Sequence, residues 1–488
     1  VTVDSSVTVQ TLTCTGFTGT LAFGTNTISL NSTGTIFTGA TTMTVTGTPL
    51  IICTNSSATA RTISPQAITE ANSISFRITA GTGTFTISNN QSVRDIDFTD
   101  GTNPTGFGGS VPSSNIIIYG NFKASTGMSF TGGNGTCTFA ATSGTKTITS
   151  AAVTIDRPTI FSGVGGTWQL QDALTLGSTR NLTLTSGTLD LVSYTMTSGS
   201  FASSAATTRT LAFGTGKLVL TENNATVCST NTGTNLTVTG SKRVELSYSG
   251  STGTRTISGV QTASAIEGTN LLDYFITAGT DIVTFSGARS YGTIDFSNGG
   301  TSTFTTPGSF TNGTQSIYGN LIFNSTMVVG SGTNTLQMRA TSGTKTITSA
   351  GQTMDFPLQI NGLGGTFACF DALTLGSTRA LTIADGTLQL KAGTTSTVGS
   401  FVTSGTNQKF LLSTTSGTQA TISDASGTDT VTYLTIQDSN ATGGAAWDAN
   451  ASTNVDAGNN TGWFFAPTPS VSNEVTMRLR SFTQPRRF

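Results

Sequence analysis

Short apolar–polar alternations fill the chain from end to end. Residues 170–200 read LQDALTLGSTRNLTLTSGTLDLVSYTMTSGS. Within them Leu174-Thr175-Leu176, Leu182-Thr183-Leu184 and Leu189-Asp190-Leu191 place leucines at every second position, and Gly and Ser separate them every seven to nine residues. A period of two is that of a half-buried β-strand, and the Gly/Ser punctuation marks turns. No stretch keeps a helical apolar period over three turns, so almost no helix is expected. Thr, which dominates the polar positions, favours strands because its branched Cβ fits a pleated surface.

The pattern repeats at a longer scale. ATSGTKTITS at 141–150 recurs without change at 340–349, and GGTWQLQDALTLGSTRNLTLTSGTLDL, ending at Leu191, matches GGTFACFDALTLGSTRALTIADGTLQL, ending at Leu390. IYGN at 118–121 matches 317–320, and ITAG at 78–81 matches 276–279. TLAFGT at 20–25 matches 210–215. The offset drifts from 199 to 190, as insertions in turns would produce. We read two units, 1–200 and 201–400, a shortened closing unit at 401–465, and a tail at 466–488. The fold expected is all-β: a β-solenoid, parallel β-helix-like, whose coils stack into a rod. Tandem β-sandwiches are the alternative. Coils of about 20–25 residues give about 20 rungs, and a rod on the order of 100 Å at ~4.8 Å per rung.

Composition narrows the function. Of 488 residues only 9% are charged, with 22 Lys+Arg against 23 Asp+Glu. So neutral a chain carries no electrostatic footprint for nucleic acid. Histidine is absent, which removes Ser-His-Asp triads, His-ligated metals and an imidazole base. The 28 Phe and 35% hydrophobic residues argue against disorder. The five cysteines, Cys14, Cys53, Cys137, Cys228 and Cys369, are widely spaced and odd in number. They read as small buried hydrophobes rather than a disulfide framework or zinc site. No apolar run approaches a membrane helix, so no membrane insertion is expected. The chain starts at Val1, so the lack of a leader says nothing about export.

The segment TWQLQDALTLGSTRNLTLTSGTLDLVSYTMTSGSFASS resembles the β-strand-repeat proteins of bacteriophage virions and bacterial surfaces. So does the ending VTYLTIQDSNATGGAAWDANASTNVDAGNNTGWFF at 431–465. The resemblance implies a parallel β-helix-like structural or adhesive role and no catalytic site; a virion-surface location, no enzymatic activity and no cofactor are expected. The expected function is a phage fibre, spike or capsid-surface protein. The alternatives are a bacterial or archaeal surface adhesin or sheath subunit, secreted to the cell surface, and a polysaccharide-degrading tailspike. Partners would be further copies of the chain in a homo-oligomer, other subunits of the assembly, and a host-surface glycan. The few charges leave a solenoid's end strands poorly protected, which also points to capping by neighbours.

Asp95 and Asp97 sit on one strand face with Asp100 nearby, a carboxylate pair of the kind that cleaves glycosides; the second unit keeps only Asp295. Asp156/Asp355 and Asp172/Asp371 recur in both units, which fits turn roles. Asp438, Asp448 and Asp456 are an oxygen-ligand candidate for calcium, with turn capping as the plainer reading. GVGG at 163–166 and GLGG at 362–365 read as tight turns, since no phosphate-binding context follows. Trp168, replaced by Phe367 in the other unit, reads as core, and Trp447 and Trp463 as caps of its end. The tail carries Arg478, Arg480, Arg486 and Arg487 against one Glu, with Val475, Met477, Leu479 and Phe482 alternating with polar residues. Arg478, Arg480, Phe482, Arg486, Arg487 and Phe488 are the candidate assembly-docking residues, by charge pairing and strand addition to a neighbour.

Overall fold

The computed structural model describes residues 1–66, 68–101, 106–223, 226–299, 303–305 and 314–466. These form a β-solenoid of about 19 turns with nearly no helix. Two 3₁₀ turns, Glu70–Asn72 and Thr262–Ser264, are the helical elements described. The described strand pairings are parallel, except where Val260–Gln261 runs antiparallel to Arg289–Tyr291. Parallel pairing excludes tandem sandwiches, which are antiparallel.

Three sides make each coil. The first face is an eleven-stranded sheet from Val7–Val9 to Leu236–Thr239. A second face begins at Thr154–Ile155 and runs on through Arg243–Leu246 and Asp273–Ile276. A third, also eleven-stranded, extends from Gln91–Val93 to Val328–Val329. On the first face Thr167 pairs with Thr188, Thr188 with Thr210 and Thr210 with Thr237, so a coil there takes between 21 and 27 residues. The length varies because corners absorb insertions while strands keep register.

The alternation now has its cause. In Thr167–Leu170, Trp168 and Leu170 are buried and Thr167 and Gln169 are not. Stacking places Trp168 over Leu189 and Leu189 over Leu211, so each apolar position becomes part of an interior ladder. One apolar cluster runs from Val3 to Ala449. It continues past residues 200 and 400, where Ser200–Ala202 pairs with Asn181–Leu184 and Ser400–Thr403 with Ala380–Leu390. The closing unit carries on the stack, Phe410 pairing with Thr387 and Val455 with Thr435.

The two repeat units are not superimposed by sliding along the axis alone. Thr145–Thr149 lies on the first face, while its identical copy Thr344–Thr348 lies on the column that continues the second. Likewise Ser75–Ile78 belongs to the first face and its counterpart Asp273–Ile276 to the second. One unit therefore spans a whole number of coils plus one side. Equivalent surfaces of the two units point about a third of a turn apart.

Candidate functional site

Most of the recurrent polar residues hold corners. Asp172 accepts hydrogen bonds from the Ser150 and Ala151 N–H groups, both at 2.7 Å. Asp371 does the same for Ser349 (2.8 Å) and Ala350 (2.5 Å). Asp156 and Asp355 pair with Arg180 and Arg379 at 2.6 and 2.7 Å. Thus Asp172/Asp371 cap turns as expected, and Asp156/Asp355 are partners of an arginine one coil on. The GVGG and GLGG segments are tight corners, with Gly165 and Gly364 at φ +88° and +87°.

The calcium candidates do not converge. Asp438 accepts from the Gly417 N–H and from Asn459, Asp448 from the Asn450 N–H, and Asp456 from Gly458 and Asn460. Among the described residues no group of three or more His, Cys, Asp or Glu side chains is placed to hold a metal ion. The five cysteines are buried and unpaired. Burial pushes the Cys53, Cys137, Cys228 and Cys369 thiols up to about 12. Trp168 and Trp447 lie in the core, and Trp447 meets Trp463 and Phe401 near its end. The candidate docking residues Arg478, Arg480, Phe482, Arg486, Arg487 and Phe488 lie outside the described residues.

The structure does bring Asp95 and Asp97 together with distant residues. Phe76, Ile96, Phe122 and Ile148 stack inward on the first face. Their outward neighbours form two rows across four coils. One row is hydrogen-bonded. The Ser75 hydroxyl donates to Asp95 Oδ2 (2.6 Å), Asn121 donates its backbone N–H (2.6 Å) and Nδ2 (2.9 Å) to Asp95 Oδ1, and Thr147 donates its N–H to Asn121 Oδ1 (2.8 Å). The second row is Arg77, Asp97, Lys123 and Thr149, in register. Arg77 Nε sits 3.1 Å from Asp97 Oδ2, and Asp97 Oδ1 accepts from the Thr99 hydroxyl (2.6 Å) and N–H (2.9 Å). Arg94 joins them from the edge, and the rows line a groove of about 560 Å³.

The second unit rebuilds the first row with its acid moved by one coil. Asp273 accepts from the Thr293 N–H (2.5 Å), Thr293 Oγ1 from the Asn320 N–H (3.2 Å), and Asn320 Oδ1 from the Thr346 N–H (2.8 Å). Burial raises the Asp273 carboxyl above the usual range, against the Thr293 hydrogen bond and the charges of Lys242 and Lys345. The second row is not rebuilt: Phe275, Asp295, Ile322 and Thr348 stand where Arg77, Asp97, Lys123 and Thr149 do. Both units add a clip over this side. Glu70 accepts from the Thr142 N–H (3.0 Å) and hydroxyl (2.6 Å), and Glu267 from those of Thr341 (2.8 and 2.7 Å), each reaching more than 70 residues along the chain.

Sequence reasoning missed the buried charges. Arg61, Arg157, Arg209, Arg255 and Lys409 lie inside the solenoid. Each donates to carbonyl oxygens at corners. Arg209 reaches those of Ser203 (2.9 Å), Thr207 (2.9 Å) and Thr234 (3.2 Å), and Lys409 those of Gly405 (3.1 Å) and Asn407 (2.7 Å). A long cation carries several donors and satisfies several inward-turned carbonyls at once.

Two interior acids lie near the last coils. Asp429 is buried, its Oδ1 accepts the Phe401 N–H (2.7 Å), and its Oδ2 has no hydrogen-bond donor. Burial pushes its carboxyl up to about 6, against the Phe401 hydrogen bond and with the neighbouring Asp424 raising it further. A folded-state pKa above the unfolded value of about 4 means the native state holds the proton longer. Stability from this group is therefore intact below about pH 4 and is lost as pH rises towards about 6. Backbone amides of 420–449 should exchange faster at pH 7 than at pH 4 after correction for intrinsic rates. Asp429→Asn should flatten that difference, and an unchanged pH dependence in the variant would remove Asp429 as its source.

Comparison of the chain with protein-family models, with curated proteins and with solved structures finds no match.

Proposed function

We propose that the chain is a non-enzymatic structural protein of an extracellular assembly, a fibre, spike or capsid-surface rod of a phage virion. The observation that carries this reading is the single apolar core from Val3 to Ala449 inside continuous parallel sheets. Such a stack resists bending because every coil is bonded to both neighbours, and duplication lengthens it without a new fold. About 19 turns at ~4.8 Å make a rod of roughly 90 Å. The virion setting rests on the sequence resemblance of 167–204 and 431–465.

The tailspike alternative has less support. Asp95 and Asp97 would have to act as acid and base or nucleophile. Each carboxylate oxygen instead accepts a fixed donor from Ser75, Asn121, Arg77 or Thr99. That arrangement suits recognition at the rod's side, and it keeps a surface-adhesin setting in view.

The assembly role is tested through the tail. Deleting 466–488 should leave the circular-dichroism spectrum and melting of the rod unchanged and abolish its incorporation into the particle. Normal incorporation of the truncated chain would refute docking by Arg478, Arg480, Phe482, Arg486, Arg487 and Phe488.

A further inference from the structure

The two units serve as internal controls for each other. The hydrogen-bonded row is present in both, as Ser75–Asp95–Asn121–Thr147 and as Asp273–Thr293–Asn320–Thr346. A feature that survives a shift of its acid from one coil to the next is part of how coils are held together. The charged row is different. Where the first unit has Arg77 and Lys123, the second has Phe275 and Ile322 on the same backbone positions. The solenoid folds with either set, so the fold does not require the cations.

The cations also do little for the first unit. Lys123 Nζ makes no hydrogen bond or ion pair with any described residue, and Arg94 spends one Nη2 on the Ala71 carbonyl at 3.2 Å. Arg77 is paired with Asp97, but its side chain remains 33% exposed. An ion pair so exposed adds little to the fold's stability. Three cations and two carboxylates thus line one groove of about 560 Å³, beside Thr25, Thr27, Thr48, Asn121, Thr147 and Thr149.

We propose that this first-face groove binds an acidic polysaccharide, its carboxylates meeting Lys123, Arg94 and Arg77 and its hydroxyls meeting the singly bonded oxygens of Asp95 and Asp97. The groove crosses successive coils, which suits an extended polymer rather than a compact ligand. Asp95 Oδ2 and Asp97 Oδ2 each accept a single donor, from Ser75 and Arg77, and keep a lone pair that a polyol can supply with a donor and a phosphodiester cannot. The floor residues Phe76 and Ile96 are covered, so no apolar platform invites a hydrophobic peptide. The inference deepens the attachment part of the proposed function by naming the ligand class and the face that meets it.

The test uses the full chain and immobilised polygalacturonate and alginate, with dextran as the uncharged control. Binding to at least one uronate polymer, absent for dextran and weakened at 0.5 M salt, is expected. Lys123→Ile should lower affinity at least tenfold while the far-ultraviolet spectrum and melting stay as in the parent, since Ile322 already occupies the equivalent position. Lys123→Gln should act in the same direction. Ile322→Lys, on the other unit, should leave affinity unchanged. No binding to either uronate polymer, equal binding to dextran, or full affinity in both Lys123 variants would overturn the proposal. None of these results would touch the rod itself, whose failure is read separately by microscopy.

Discussion

Arg255→Met is expected to cost about 3–5 kcal/mol of local stability, the range for removing one partner of a buried ion pair. Arg255 and Asp281 have no side-chain exposure. They meet through two bonds, Nε to Oδ2 at 2.8 Å and Nη2 to Oδ1 at 2.6 Å, and the guanidinium also donates to the carbonyls of Leu246 (3.2 Å) and Ala278 (2.9 Å). Methionine fills much of the volume but leaves Asp281 charged, dry and unpaired. A solenoid is held by neighbour-to-neighbour terms, so the damage should be regional rather than global. Hydrogen exchange should therefore show lost protection across 243–285 with little change before residue 200. Arg255→Met combined with Asp281→Leu should recover most of the loss, because no buried charge remains. Equal damage in the single and double variants would mean that the carbonyl contacts, not the ion pair, carry the effect.

The second large effect concerns a corner where coils nearly touch. Gly187 has φ +76°, and a Cβ there would run into the carbonyl oxygens of Gly163 and Gly166 on the preceding coil. Gly386 stands in the same relation to Gly362 and Gly365 in the second unit. Gly187→Val combines backbone strain of about 1–3 kcal/mol with overpacking of about 1–3 kcal/mol. A loss of about 4 kcal/mol should follow, read as reduced exchange protection in 159–212. Gly127, at φ +85°, has nothing within 4 Å of its would-be Cβ. Gly127→Ala should cost only the strain, about 1 kcal/mol. If both variants cost the same, close approach of the coils is not what the glycine at 187 provides.

These two sites also show which parts of the molecule the sequence makes legible. Alternation in stretches such as Leu182-Thr183-Leu184 gives strands, and the short uniform spacing of turns gives stacked coils. The duplication is plain because ATSGTKTITS recurs unchanged. Arg255 was not legible as an interior residue. In Thr254–Ser258 it alternates with threonine as an outward polar residue would, and only Asp281 and the carbonyls of Leu246 and Ala278, brought in by the fold, make the inward position favourable. The third-of-a-turn offset between units was hidden for a related reason. A sequence repeat reports how many residues separate two copies, whereas rotation depends on how many coils those residues make, and corner lengths vary.

The groove was half legible. Asp95 and Asp97 stand two apart on a strand face in the sequence, and they do share a surface. Their neighbours come from other coils: Ser75 and Arg77 from the one before, Asn121 and Lys123 from the one after. Residues 20 to 26 apart with no fixed interval form no motif. The comparison that gives Lys123 meaning, with Ile322, becomes available only when strand pairing has put the two in equivalent places.

We propose that this chain is a rod mounted on an extracellular particle. Electron microscopy of the native particle that carries it, at a resolution that traces the chain, tests this most directly. An elongated density of roughly 90 Å, about 19 rungs at ~4.8 Å, projecting from a capsid or tail and held at one end, is expected. A chain found free of any particle, or in a continuous filament or cell-surface lattice without a capsid, would contradict the virion reading.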